Sequence, residues 1–149
     1  MVSLLGITKI PMLLLAAPRV LEITDEGCAI RIPFNRLTQN HVGSMYLGVL
    51  CAGADLVSGL NAFKLMRSRY QGVIPVFSEL KAEFLKRADG DVVFRTGDGR
   101  AILEAVASAY STGERVTIPV TSVATVPSKY GDEPVARFTV GLSVKKKKS

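Results

Sequence analysis

Tryptophan is absent from this 149-residue sequence, which also contains one histidine and two cysteines. Cys28 and Cys51 stand in apolar surroundings without CxxC spacing, so we interpret them as reduced packing residues of a cytoplasmic protein. A chain of this length buries roughly two thirds of its unfolded surface on folding. We therefore expect a single domain over residues 1–149 that needs neither a metal nor a disulfide for its stability.

Negative charge is also scarce, because 13 Asp and Glu stand against 19 Lys and Arg, which gives a net charge of +6. Four of these six charges lie in Lys145–Lys148, within a basic tail that we place at residues 145–149. No basic stripe interleaved with aromatic residues occurs elsewhere, so we expect no nucleic-acid partner. A solvated tail is the simplest interpretation, and an anionic partner such as a phosphorylated carrier is the alternative.

The pattern of a secretory signal is missing from the N-terminus. Residues 3–16 are apolar, but Lys9 lies inside this segment rather than ahead of it, and Pro11 interrupts it. We predict one or two short helices there, lying on the domain or on a partner.

Ionisable residues are nearly missing from residues 44–63, where Asp55 is the single one. A helix that is apolar nearly all round is typically buried, and a buried carboxylate without partners is costly or has a raised pKa. The positions one and two turns away from Asp55 hold small residues, so a substrate or another backbone can approach it. These neighbours are Gly48, Cys51, Ala52, Ser58, Gly59 and Ala62.

We interpret Asp55 as a functional residue, and two other interpretations remain. A stretch of twenty residues is also long enough to span a membrane, although a central Asp costs about 2.5–3.5 kcal/mol on an insertion scale. Alternatively, Asp55 is a core carboxylate that backbone or hydroxyl groups satisfy for structural reasons. We expect no membrane span, because Ser58 and Asn61 add to the penalty.

Alternating apolar and polar residues predict strands on both sides of this helix. We predict a hairpin at residues 20–32, a strand pair at 75–95 and a last pair at 116–144, in which Pro119 suggests an edge or a bulge. A shorter helix precedes the last pair, with Asp98 as its cap and Gly113 just after its end. This order predicts an α+β domain in which an antiparallel sheet wraps around one long central helix.

The element order and the segments NHVGSMYLGVLCAGAD and SELKAEFLKRADGD resemble the hotdog fold over residues 19–145. Within that fold they look like an uncharacterised, DUF4442-like subfamily related to phenylacetic-acid-pathway acyl-CoA thioesterases. In those thioesterases an Asn is followed six residues later by His-Gly-Gly, and an Asp stands seven residues after the second Gly. Here Asn40 is followed at that spacing by Tyr46-Leu47-Gly48, and Asp55 stands seven residues beyond Gly48.

The resemblance implies hydrolysis of an acyl-CoA or acyl-carrier-protein thioester, with no cofactor beyond the CoA or phosphopantetheine of the substrate. It implies that Asp55 is the nucleophile or general base, that Asn40 positions the thioester or water, and that N–H groups near Leu47 and Gly48 form the oxyanion hole. Elementary chemistry agrees, because N–H groups at a helix N-terminus are preorganised for the negative charge that develops on the carbonyl oxygen.

Tyr46 and Leu47 depart from the motif, since they replace its His and its first Gly. A non-catalytic acyl-thioester binder or sensor is therefore the alternative function, and a hydratase is a third. Tyr46 is either a packing residue beside the pocket or an acid. The residues that we place beside the substrate are Ser58 and Gly59 on the helix, and His41, which is otherwise a polar loop residue.

The resemblance also implies a homodimer or a dimer of dimers, because hotdog active sites lie between two subunits whose sheets join edge to edge. Surface cations would then meet the phosphates of CoA, and Lys81, Lys86 and Arg87 are the candidates. The sequence does not specify the length of the acyl chain.

Overall fold

The computed structural model describes residues 10–148, so residues 3–9 of the predicted N-terminal segment lie outside the described residues. The described part contains six strands and four helices. In chain order these are α1 (Met12–Ala16), β1 (Arg19–Ile23), β2 (Cys28–Ile32), α2 (Leu47–Ser68), β3 (Val73–Phe84), β4 (Val92–Thr96), α3 (Gly99–Thr112), β5 (Val116–Thr125), α4 (Pro127–Tyr130) and β6 (Pro134–Lys146).

The six strands form one antiparallel sheet in the order β1-β2-β4-β5-β6-β3. The long helix α2 packs on one face of this sheet, which confirms the predicted α+β architecture and the hotdog fold. The predicted hairpin is also confirmed, since β1 and β2 pair directly.

The core forms where α2 meets the sheet. Leu50, Val57 and Leu60 of the helix are buried against aromatic side chains of the sheet, among them Phe94 and Phe138. By length and composition α2 could also cross a bilayer, but half of that window is buried inside this domain. Packing of α2 inside the domain therefore explains why its sequence is so apolar.

The start of α2 lies at Leu47, and no side chain caps it. Ser44 belongs to a residue type that often caps helices, but it is not the N-cap here. The Ser44 hydroxyl instead accepts a hydrogen bond from Arg87 Nε at 3.1 Å. The preceding loop is thus tied to the chain just after β3.

The sequence predicted that the Asp98 side chain caps α3, but this side chain makes no capping hydrogen bond. Its carboxylate accepts bonds from the backbone N–H and the hydroxyl of Thr121, at 2.7 and 3.0 Å. Those bonds are possible because β4 pairs only with residues 123–125 of β5. The earlier residues of β5 have no neighbouring strand on the side that faces β4. Pro119 lies on the open part, so the predicted edge position is correct there.

Strand β3 is the outermost strand of the sheet on the side of β6, and it is twelve residues long. Its ladder with β6 shifts register between Phe77 and Glu79, which indicates a β-bulge at Ser78. Strand β6 continues through Lys146, so two residues of the predicted tail are part of the sheet. The backbone N–H of Lys147 then bonds to the Gly72 carbonyl at 2.6 Å.

Candidate active site

A groove of about 470 Å³ runs between α2 and the edge strand β3. The helix contributes small residues and one carboxylate, while the strands contribute a largely apolar wall. The lining residues are Gly48, Cys51, Ala52 and Asp55 from α2, Phe77, Ser78, Glu79 and Leu80 from β3, and Val140 from β6. The predicted approach to Asp55 through small neighbours is therefore present, and the groove places this carboxylate in reach of a ligand.

Asp55 is half-buried in this groove. Within residues 10–148 its carboxylate makes no hydrogen bond and no ion pair, so no backbone or hydroxyl group there satisfies it for structural reasons. Burial raises the pKa of the Asp55 carboxyl above its ordinary value, because the charged form loses water. A carboxylate with a raised pKa is a stronger base at neutral pH than an exposed one.

The N-terminus of α2 offers free amides at the other end of the groove. Among residues 10–148 the N–H groups of Leu47 and Gly48 have no acceptor, and the first turn holds no acidic side chain. Such amides carry the positive end of the helix dipole and favour an anion or a developing oxyanion. The amides that the prediction assigns to an oxyanion hole are thus free among the described residues, and that role stays a prediction.

Tyr46 packs its ring directly against Gly48. A methyl group on Gly48 would stand 2.5 Å from the Tyr46 ring, so only glycine accepts this ring position. Tyr46 remains 56% exposed and does not line the groove. Its ring therefore covers one side of the helix start and acts here as a packing residue.

Asp55 and Gly48 lie on the same face of α2 but are separated by seven residues, which corresponds to about 10 Å along the helix axis. A catalytic base and the oxyanion donors each have to lie about 3 Å from the atoms that they serve at one carbonyl group. Within one chain, Asp55 and the amides at the start of α2 are consequently too far apart to act on the same carbonyl group.

Asn40 organises the loop before α2. Its side-chain oxygen accepts hydrogen bonds from the N–H groups of Val42 and Ser44, at 3.0 and 3.1 Å, in an Asx-type turn. The Arg87 guanidinium supports the same loop by donating to the Val42 carbonyl. Asn40 does not line the groove of one chain, and its role in positioning thioester or water stays a prediction.

The three predicted substrate-binding residues do not line the groove either. His41 is exposed in the loop before α2, whereas Ser58 is fully buried with its hydroxyl unpartnered. Gly59 is covered by the Phe77 ring, which stands 3.2 Å from where a Cβ of residue 59 would be. Sequence reasoning missed Phe77 and Ser78, because their direction depends on a bulge that only the pairing with β6 reveals.

The cations predicted to meet CoA phosphates are already engaged. Lys81 pairs with Glu79 at 3.8 Å and Lys86 pairs with Glu133 at 3.0 Å, while Arg87 holds the loop before α2. Arg115 and Lys145–Lys148 flank a separate cleft and make no ion pair within residues 10–148. This end of the sheet therefore carries a cluster of positive charge without ion-pair partners among the described residues.

Comparison with solved structures finds the same fold in bacterial proteins. A protein of unknown function from Pseudomonas aeruginosa, described as a probable thioesterase, has 22% identity and a TM-score of 0.74 over 95% of this chain and 91% of that chain. A putative thioesterase from Shewanella oneidensis has 16% identity and a TM-score of 0.78 over 97% and 94% of the chains. A Chlorobaculum tepidum protein of unknown function has 10% identity and a TM-score of 0.82 over 97% and 92%.

These likenesses establish the hotdog fold and nothing beyond it, since identities this low carry the fold alone. No curated protein matches the sequence. The family model described as "Domain of unknown function (DUF4442)" matches residues 1–142. Because that match spans nearly the whole chain, the protein belongs to the DUF4442 family.

Proposed function

We propose that the protein hydrolyses acyl thioesters, with Asp55 as the general base that activates water. The observation that carries this proposal is a half-buried carboxylate without partners, in a groove that also holds free helix N-terminal amides. Structural neighbours described as probable or putative thioesterases support the same reaction class. The substrate is an acyl-CoA or an acyl-carrier thioester, and no further cofactor takes part.

The reaction proceeds by attack of water on the thioester carbonyl carbon. Asp55 accepts a proton from the water while the new C–O bond forms, and the N–H groups of Leu47 and Gly48 hold the oxygen that becomes negative. The tetrahedral intermediate then breaks its C–S bond. The leaving thiolate takes the proton back from Asp55, which releases a free thiol and a carboxylic acid and regenerates the base.

A second copy of the chain completes this site in our proposal. The base and the oxyanion donors stand about 10 Å apart along α2 within one chain, and the groove opens at the edge strand β3. Five apolar side chains of β3, each 40–49% exposed, make this edge a template for pairing with another β3. They are Ile74, Val76, Phe77, Leu80 and Phe84.

Edge-to-edge pairing turns the groove of one protomer toward its partner, so that Asp55 of one protomer serves the helix N-terminus of the other. The resulting homodimer, alone or as a dimer of dimers, contains two equivalent sites related by the two-fold axis. We propose that this assembly acts in the cytoplasm.

The direct test is release of free thiol from a series of short, medium, long and aromatic acyl-CoAs. We expect the Asp55→Asn variant to lose at least about 100-fold in kcat, because general-base catalysis contributes 10²–10⁴-fold. Asp132→Asn is the matched control, since Asp132 is an exposed carboxylate in the turn between α4 and β6 and does not line the groove. Full activity of Asp55→Asn would remove Asp55 from the mechanism.

The position of Tyr46 favours one second candidate, a non-catalytic acyl-thioester binder. Its ring lies against Gly48 and narrows the approach to the oxyanion amides. Binding of acyl-CoA with no thiol released over several hours would establish the binder and exclude the hydrolase.

A further inference from the structure

The groove ends where an aromatic ring sits on the helix. Small residues follow the groove face of α2 at helical spacing, and Gly48, Cys51 and Ala52 line the groove. Gly59 lies on the same face of α2, one turn beyond Asp55, but it does not line the groove. The reason is the ring of Phe77, which rests on Gly59 and fills the space above it.

A bulge in β3 fixes the direction of Phe77. This residue pairs with Leu142, a fully buried core residue, and therefore points to the helix side of the sheet. The extra residue, Ser78, donates its hydroxyl to the Gly141 carbonyl at 3.3 Å. A side chain on Gly141 would collide with that hydroxyl, so glycine on β6 and serine on β3 form the bulge together.

The two ends of the groove differ in chemistry. The end at Gly48 presents free amides, whereas the strand wall is largely apolar. Phe77, Leu80 and Val140 are its apolar members, and Ser78 and Glu79 are its polar ones. A thioester has a polar carbonyl and an apolar acyl group. In the proposed dimer the carbonyl lies at Asp55 of this groove and at the amides of the partner, and the acyl group extends from Asp55 toward Phe77.

We propose that Phe77 is the end wall of the acyl pocket and restricts the protein to short acyl chains or a single aromatic ring. This inference rests on the proposed function, because it takes the acyl thioester as the ligand. The space between the levels of Asp55 and Gly59 is four residues of helix, or about 6 Å, which accommodates roughly four to five carbons.

Removing the Phe77 ring opens the next turn of the helix face, toward Phe63. One turn is about 5.4 Å, or roughly four methylene groups. The length of the preferred acyl chain should therefore increase by about four carbons in Phe77→Ala. The opposite change is expected in Gly59→Ala, because the added methyl pushes the ring into the groove.

The test measures binding of S-alkyl-CoA thioethers, which cannot be hydrolysed, with chains from four to fourteen carbons by calorimetry. In the native protein, affinity should rise with chain length and then stop rising once the chain reaches Phe77. In Phe77→Ala the plateau moves by about four carbons, and the affinity for the longer chains rises at least about tenfold, since each buried methylene adds to binding.

Val76→Ala is the matched control, because Val76 precedes Phe77 and pairs with Ser143 on the other face of the sheet. It should leave the plateau where it is. Phe77→Leu provides a milder variant if the alanine variant does not fold. An unchanged plateau in folded Phe77→Leu or Phe77→Ala would overturn the inference.

The thioether measurement separates this inference from the proposed function. A shifted plateau without any thiol release from acyl-CoA supports Phe77 as the end wall and counts against hydrolysis. Thiol release with an unshifted plateau supports hydrolysis and counts against Phe77.

Discussion

At the residue scale, Asp55 combines three properties that rarely occur together in a residue with a purely structural role. It is partly buried, it has no partner among the described residues, and its neighbours are small enough to admit a ligand. A carboxylate in such a place reduces the stability of the fold at neutral pH. Proteins retain groups of this kind where they perform chemistry.

The cost of Asp55 should be visible in the pH dependence of stability. Its ordinary pKa is 3.8 and burial raises the pKa in the folded state, so the folded protein binds the proton more tightly than the unfolded chain. The stabilisation from protonated Asp55 is complete below the unfolded pKa and is lost as the pH rises through the raised pKa. Asp55→Asn should therefore become more stable than the native protein toward neutral pH.

Urea unfolding of both proteins between about pH 4 and pH 7 measures this difference. The gap in unfolding free energy should widen as the pH rises and then stay constant. A gap that does not change with pH would mean that the Asp55 carboxyl is as well solvated in the fold as in the unfolded chain.

At the element scale, α2 depends on one close approach that its sequence does not reveal. Gly53 lies against the ring of Phe94, a fully buried residue of β4, and a side chain on Gly53 would collide with that ring. The composition of α2 predicted a buried helix, but it did not identify which of its glycines contacts the sheet.

Gly53→Ala should lower the free energy of unfolding by about 1–3 kcal/mol, because the methyl overpacks a core that cannot yield. Helix propensity alone predicts the opposite sign, since alanine favours a helix interior over glycine by about 1 kcal/mol. Denaturant unfolding decides between them, with Cys51→Ala on the groove face as the control. A stabilised Gly53→Ala protein would contradict the packing described for Phe94.

Asp98 is a second case in which an element is held differently from the sequence-based prediction. Since its carboxylate binds Thr121 and caps nothing, Asp98→Ser should not preserve stability, although serine is a good N-cap. We expect a loss of about 1–3 kcal/mol in denaturant unfolding for Asp98→Ser, because two bonds to a charged acceptor disappear. If Asp98→Ser kept full stability, the result would support Asp98 as the N-cap of α3 instead.

Local patterns predicted most of the elements, although not the short helix α4, and they singled out Asp55. Long-range pairing determined the rest. Alternation predicted each strand, and the lack of charge in residues 44–63 predicted α2 and its exceptional carboxylate. The bulge at Ser78 and the inward direction of Phe77 follow from the partner strand β6, about sixty residues away in the chain. No local signal in one sequence records such a pairing.

At the scale of the whole molecule, the sheet has one long, apolar, unpaired edge, and the groove opens along it. The carboxylate and the oxyanion amides stand about 10 Å apart within one chain. The two-fold dimer that we propose through β3 would resolve both features at once, because it would pair the edge and bring Asp55 of one protomer to the helix start of the other.

Complementation between two inactive variants tests this most directly. Asp55→Asn removes the base, and Leu47→Pro removes one of the two proposed oxyanion N–H groups at the first position of α2, which tolerates proline. Mixed dimers contain one site with both intact groups, so unfolding and refolding an equal mixture should restore about a quarter of the native thiol-release activity. A mixture that stays as inactive as its two components would contradict a site shared between two chains.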